Sequence, residues 1–361
     1  MAAVRRMLLA LGVLAAVVVG VVVASQSTTD PRTPLVQAIS AVPAEEGTIS
    51  VTGWAQVRDE LDLDPAEAGE PSGLRRLSDA GFATDLTAGS LLVGSVQPMQ
   101  REYGWSVVGA DWEAYAQSRT GAVGVVALGG IDAETVLDGL RTVGYREPAE
   151  DADSGAVWVG GPDLVAGTDP TLTPQLSYLA MLSDEGLVVL SDAERYASRT
   201  VAAIRGDEPA LADDPAVTEV ALRLGESPVA VAHTGDRGCT VTSLADAGRT
   251  DQRLADRLAA DAGGLVAYDA LGLGLAVHAS SSSLDVVMRF DGVAAATDQL
   301  AVRTALSRGD APAQGGTWEE RFAVESASAD DGSVRLRIRA PERDAQLLSD
   351  LGTGGLLFAS C

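Results

Sequence analysis

The chain has 361 residues, with 26 basic and 51 acidic side chains and a formal charge of −25 at neutral pH. A surface of that sign repels nucleic acid and anionic lipid headgroups, which excludes DNA, RNA and polybasic membrane docking. Every one of the 26 basic residues is arginine and asparagine is absent, so lysine Schiff bases, P-loop lysine chemistry and N-glycosylation sequons are excluded too.

Arg5-Arg6 precede an uncharged apolar run, Met7 to Ala24, 18 residues long. A bilayer core takes about 17–25 helical residues, whereas the apolar core of a secretory signal is about 7–15. The expectation is therefore a retained transmembrane helix over 7–24. The arginine flank keeps residues 1–6 cytoplasmic and puts the body outside, in a single-pass arrangement. Secretion after cleavage beside the small residues Val22-Val23-Ala24 is the alternative. No cysteine ends the run, which argues against a lipid anchor. Residues 25–34 are polar with two prolines and read as a short tether. The remainder, from residue 25 on, sets 24 arginines against 51 acids, a formal charge of −27.

Leu35 to Val42 predicts a helix stopped by Pro43, Thr48 to Val51 a short strand, and Trp54 to Leu61 a helix with Trp54, Val57 and Leu61 on one face. A loop over 64–72, a helical stretch around Leu74 to Leu77 and an apolar segment near Leu86 to Val93 follow. From Trp112 the chain repeats. Residues 112–142 and 274–304 both read strand, polar turn, strand, Gly, helix. At an offset of 162 they share Ala114/Ala276, Ser118/Ser280, Gly130/Gly292, Ala133/Ala295, Thr135/Thr297, Arg141/Arg303 and Thr142/Thr304. Each copy continues into a hairpin, Tyr178–Leu190 around Asp184-Glu185-Gly186 and Phe322–Ile338 around Asp330-Asp331-Gly332, where glycine supplies the positive φ of a tight turn. Helix starts are expected after each, at 192–195 and at 340–343, where Pro341 suits a first turn. The segment 151–174 is an insert in the first copy. Between the copies, residues 206–262 predict an acidic loop, a helix over 216–224, a strand over 228–233 and an amphipathic helix over 249–262.

Each copy thus reads ββαββα. The expected fold is α+β, with duplicated ferredoxin-like modules whose antiparallel sheets are covered by helices. The first module with its helical extension spans 35–205, the connecting segment 206–262 and the second module 263–361. Cys239 and Cys361 are the two cysteines. An even number outside a membrane predicts a disulfide; two free thiols are the alternative. Val42-Pro43-Ala44, a short strand leading into Trp54-Ala55, and Asp111-Trp112-Glu113 opening a duplicated body behind an N-terminal anchor resemble uncharacterised cell-envelope proteins of actinobacteria. The resemblance implies an extracytoplasmic location and brings no catalytic residue or cofactor.

Catalytic signatures are absent: there is no G-x-S-x-G, H-E-x-x-H, C-x-x-C, P-loop or G-x-G-x-x-G. No cofactor and no metal are expected. The acidic stretches 147–153 and 207–214 lack the spacing of a calcium loop and read as solvated loops. The five tryptophans read as core anchors. His278 reads as an outer-face or satisfied core residue. His233, at a strand end, faces solvent on the plain reading; paired with Asp236 it would be the base and its orienter beside an unidentified serine. Two functions follow from these residues. The first is an anchored, extracytoplasmic binding or scaffold module of the envelope, holding an envelope protein or an apolar ligand in the groove between copies. The alternative is a hydrolase using His233 and Asp236.

Overall fold

Two-residue periodicity and turn chemistry build the sheet. In the computed structural model, which describes residues 32–45, 47–149, 151–340, 342, 345–352 and 355–361, eleven strands are formed. They are β1 (Gly47–Thr52), β2 (Trp112–Ser118), β3 (Ala122–Ala127), β4 (Ser154–Val159), β5 (Tyr178–Leu182), β6 (Leu187–Ser191), β7 (Val229–Thr234), β8 (Ala270–Val277), β9 (Ser282–Arg289), β10 (Ala323–Asp330) and β11 (Ser333–Ala340). Asp331 and Gly332 have φ of 47° and 86°, the two positive values that a two-residue hairpin of matching twist requires. The expected transmembrane helix over 7–24, its flank 1–6 and residues 25–31 of the tether lie outside the described residues. Among the described residues no helix is long and apolar enough to cross a membrane.

The strands do not form two sheets. They make one antiparallel sheet in the order β10-β11-β9-β8-β7-β1-β2-β3-β6-β5-β4, so the architecture is mixed α+β around a single large sheet. The expectation of a separate sheet for each module is corrected by the central pairing of β1 with β7, in which Thr48 lies opposite His233 and Ser50 opposite Val231. Residues 206–262 are therefore more than a connector, because they supply a central strand. Outward from that pair the order is the same on both sides, β1-β2-β3-β6-β5 and β7-β8-β9-β11-β10. The segment 151–174 forms β4 and a short helix, and β4 is an edge strand without a counterpart.

Helices cover both faces. They are α1 (Pro34–Ser40), α2 (Trp54–Glu60), α3 (Pro65–Ala68), α4 (Pro71–Ala83), α5 (Val96–Glu102), α6 (Ala133–Val143), α7 (Pro162–Thr168), α8 (Glu194–Arg205), α9 (Pro215–Leu224), α10 (Asp236–Val241), α11 (Arg249–Ala262), α12 (Val293–Leu306) and α13 (Leu347–Gly352). Their ends follow local chemistry. Thr33 Oγ1 accepts from Val36 N (3.4 Å) with Pro34 in the first turn of α1, and Asp132 accepts from Thr135 N (3.3 Å) at the start of α6. Gly144 and Gly206 close α6 and α8 in the left-handed region. On one face α1, α8 and α9 pack through Leu35, Tyr196, Val201 and Val220 onto Ile49, Val51, Val123 and Ala230. On the other, Trp54, Trp158 and Trp318 and the leucines of α13 pack onto Val229, Leu271, Leu273, Val286 and Leu336. All five tryptophans are buried, in the core-packing role their area favours.

One element breaks the correspondence of the halves. Helix α8 follows β6 and lies on the first face, whereas α13, the first described helix after β11, packs on the opposite face through Leu347, Leu348 and Leu351. The helix start expected at 340–343 differs from this: β11 runs through Ala340, and Pro341 and Arg343 lie outside the described residues.

Candidate functional site

Successive residues of a strand point to opposite faces, and the register places polar groups in rows across the sheet's centre. Gln117 of β2, Thr48 of β1, His233 of β7 and Leu271 of β8 are consecutive partners in one row. Tyr115, Ser50, Val231 and Leu273 form the next, and Glu113, Thr52, Val229 and Leu275 the one after. The rows belong to both halves of the sheet; the first, with Val231 and Leu273 of the second, floors a cavity of about 380 Å³, within the roughly 300–1,000 Å³ of small-ligand pockets. Its walls are Arg237 and Val241 of α10, Leu348 and Leu351 of α13, Leu356 beyond it, and Ala88.

His233 is buried, which corrects the expectation of a solvent-facing strand end. Its Nδ1 is 2.9 Å from Thr48 Oγ1, and Arg237 Nε donates to the same oxygen at 3.4 Å. The hydroxyl can donate to Nδ1 or accept from it, and donation would leave the ring proton of His233 on Nε2. Burial, and then the charge of Arg237, push His233 down to about 4. The ring is therefore neutral at physiological pH.

Asp236 does not join it. That residue is exposed in the first turn of α10 and borders a different cavity together with Thr234, whose side chain alternates to the other face. The serine at the central cavity, Ser349, donates to Asp85 at 2.5 Å. Among the described residues no hydrogen bond links His233 to a serine or to a carboxylate. His278 lies exposed beyond the end of β8, with Nε2 3.1 Å from Ser283 Oγ. Among the described residues no group of three His, Cys, Asp or Glu side chains is placed to hold a metal.

The walls are held by buried polar anchors. Asp85, buried and with φ of 60°, accepts from Leu348 N (2.7 Å) and Ser349 N (3.0 Å) at the start of α13. Its loop is fastened in turn to the sheet. Ser50 Oγ donates to Gly89 O (2.7 Å), and Glu113 accepts from Trp54 Nε1 (3.0 Å), Ser90 Oγ (2.7 Å) and Leu92 N (2.9 Å). A Cβ on Gly89 would meet Val229 Cγ1 at 2.9 Å and Thr52 Oγ1 at 3.1 Å, so only glycine lets the loop approach this closely. Burial raises Glu113 to about 6, against the pull of its hydrogen bonds from Ser90, Trp54 and Leu92.

Cys239 of α10 and Cys361 form the expected disulfide, with Cα atoms 5.3 Å apart and a sequence separation of 122. It clips the segment that carries Leu356 to the helix that carries Arg237. The same segment is bound by Leu356 N to Thr242 O (3.0 Å), Tyr268 OH to Ala359 O (2.8 Å), and the fully buried Arg303, which donates to Phe358 O (3.3 Å) and Ser360 O.

Of these residues His233, His278, Asp236, Trp54 and the cysteines stood out in the sequence. As site residues, Thr48, Asp85, Glu113, Gln117 and Arg237 did not. The signal for three of them was alternation: Thr48, Ser50 and Thr52 against Ile49 and Val51, and Glu113, Tyr115 and Gln117 against Ala114 and Ala116.

No family model and no curated protein matches the chain. Crystal form III of TP0453 aligns over 88% of this chain and 98% of that one, at 8% identity and a TM-score of 0.41. Crystal form I aligns over the same shares at 11% identity and a TM-score of 0.38. A likeness this slight carries no functional argument.

Proposed function

We propose that the chain is a non-catalytic binding module whose central cavity takes an apolar small molecule. One observation carries this reading: five leucines line a cavity at the junction of the two halves, with a few polar groups among them, the usual make-up of a ligand site. The neutral His233, hydrogen-bonded to Thr48 and not to Asp236, supports binding over hydrolysis. The matching strand order of the two halves supports an origin by duplication of an α+β module, with the cavity at the joint. The apolar run 7–24, its arginine flank and the Cys239–Cys361 disulfide support a membrane-anchored module of the cell envelope, facing an oxidising compartment.

Native mass spectrometry of the full-length chain purified from its own membrane tests the reading. The expected result is a stoichiometric bound mass that is lost when Leu273→Arg fills the cavity floor with charge. An empty wild-type chain whose serine is labelled by a fluorophosphonate, with labelling abolished by His233→Ala, would overturn it in favour of hydrolysis.

A further inference from the structure

The proposed ligand site has a sign. The chain carries 51 acidic side chains against 26 basic ones, yet no Asp or Glu lines the central cavity and one arginine, Arg237, does. Among the described residues the side chain of Arg237 makes one hydrogen bond, to Thr48 Oγ1, and no ion pair. The residue is exposed and lines the cavity, so its fork is available to a ligand there. Burial and the nearby arginine charge keep His233 neutral, so at physiological pH the fixed charge of the lining is that of Arg237 alone.

We infer that the cavity takes a single-chain amphiphile whose headgroup is a carboxylate, with the chain among the leucines and the headgroup on the Arg237 guanidinium. A guanidinium matches a carboxylate with two parallel N–H···O bonds. A phosphate monoester would bring a charge of about −1.5 to −2, more than one arginine balances, and the acidic body around the site offers little further compensation. Gln117 and Thr48, on the same row as His233, provide polar company for the headgroup where the leucines end.

This inference rests on the binding reading, and one titration separates their failures. Decanol, decanoate and decyl phosphate are titrated at pH 7.5 and low salt into the full-length chain in nanodiscs, with partition into empty nanodiscs subtracted. The readout is the ring signals of the two histidines: His233 sits in the cavity and His278, outside it, is the internal control. A hydrogen bond to a charged group is worth about 1.5–3 kcal/mol. Decanoate is therefore expected to bind roughly 10–100-fold more tightly than decanol. Arg237→Gln brings that ratio to near one, while Arg237→Lys, a point charge without the fork, keeps a several-fold preference. Equal binding of decanoate and decanol, or a ratio that survives Arg237→Gln, overturns the inference and leaves the apolar site standing. Tighter binding of decyl phosphate than of decanoate overturns the assignment of the headgroup. Failure of all three probes to move His233 overturns the binding reading and the inference with it.

Discussion

Protonation of His233 offers a direct measure of how dry the cavity floor is. Its ordinary value of 6.5 falls to about 4 in the fold, first through burial and then through Arg237. The sign follows from proton uptake. Between those values the unfolded chain binds a proton that the folded chain refuses, so stability is fully present above 6.5 and is lost as pH falls towards 4. Each pH unit of difference is worth about 1.4 kcal/mol, which makes the full loss about 3 kcal/mol and the loss at pH 5 about 2 kcal/mol. Glu113 works the other way. Its value rises from 4.5 to about 6, so the folded chain takes up its proton first and gains about 1 kcal/mol on going from pH 7 to pH 5. The wild-type stability should therefore fall only gently across this window. His233→Asn keeps a polar atom near Thr48 Oγ1 but does not titrate, and it should become more stable from pH 7 to pH 5. Urea unfolding of the oxidised protein at half-unit steps measures both curves. The difference between them should shrink by about 2 kcal/mol between pH 7 and pH 5. A difference independent of pH would show that His233 titrates normally, and the account of a desolvated, cationic floor would be wrong.

Two further outcomes are expected. Replacing both Cys239 and Cys361 with serine removes a cross-link closing a loop of 122 residues; the chain-entropy estimate is a loss of about 5 kcal/mol, measured as a lower urea midpoint that matches the reduced wild type. An unchanged midpoint would mean that the hydrogen bonds of Arg303, Tyr268 and Thr242 hold the C-terminal segment without help. Asp85→Ala strips the buried acceptor of Leu348 N and Ser349 N, with an expected loss of about 2 kcal/mol. Hydrogen exchange should report it first as reduced protection of residues 347–352, and unchanged protection there would show that α13 is held by its leucines alone.

What could be read in advance divides along physical lines. Strands β2, β3, β5, β6 and β8–β11 were legible because each hairpin carries its own turn chemistry, and α6 and α12 because both follow a glycine at matching places in the repeat. The pairing of β1 with β7 was not. It joins GTISVT to VAVAHT at sequence separations of 177 to 185, with no turn between them to set the register, so the connecting segment looked like a linker and the modules looked separate. The cysteines announced their bond through parity and compartment. His233 drew notice as a rare residue, but its neighbours in space, Thr48 and Arg237, depend on that same unreadable pairing. Asp236, its neighbour in sequence, borders a different cavity together with Thr234.

The location of the cavity traces to strand β11. Its sequence alternates strictly, with Val334, Leu336 and Ile338 buried on the face opposite Arg335, Arg337 and Arg339. On β9, Asp285 takes both Arg335 and Arg337 in double hydrogen bonds of 2.7–3.1 Å. Burial pushes that carboxylate up, but the hydrogen bonds of Arg337 and Arg335 outweigh it and hold Asp285 below its usual range. In the first half, the corresponding face receives α8 because Val123, Val125 and Val189 there are apolar. A helix laid over the arginines of β11 would have to desolvate them, at several kcal/mol for each ion left imperfectly paired. The leucines of 347–357 find apolar rows only on the other face, over β8 and β9. Going there, they roof the polar centre of the sheet, and the disulfide closes them against the helix of Arg237. A period-two charge pattern on β11 thus accounts for α13 crossing to the other face and roofing the cavity, while on the first face α9 covers β7, β8 and β9.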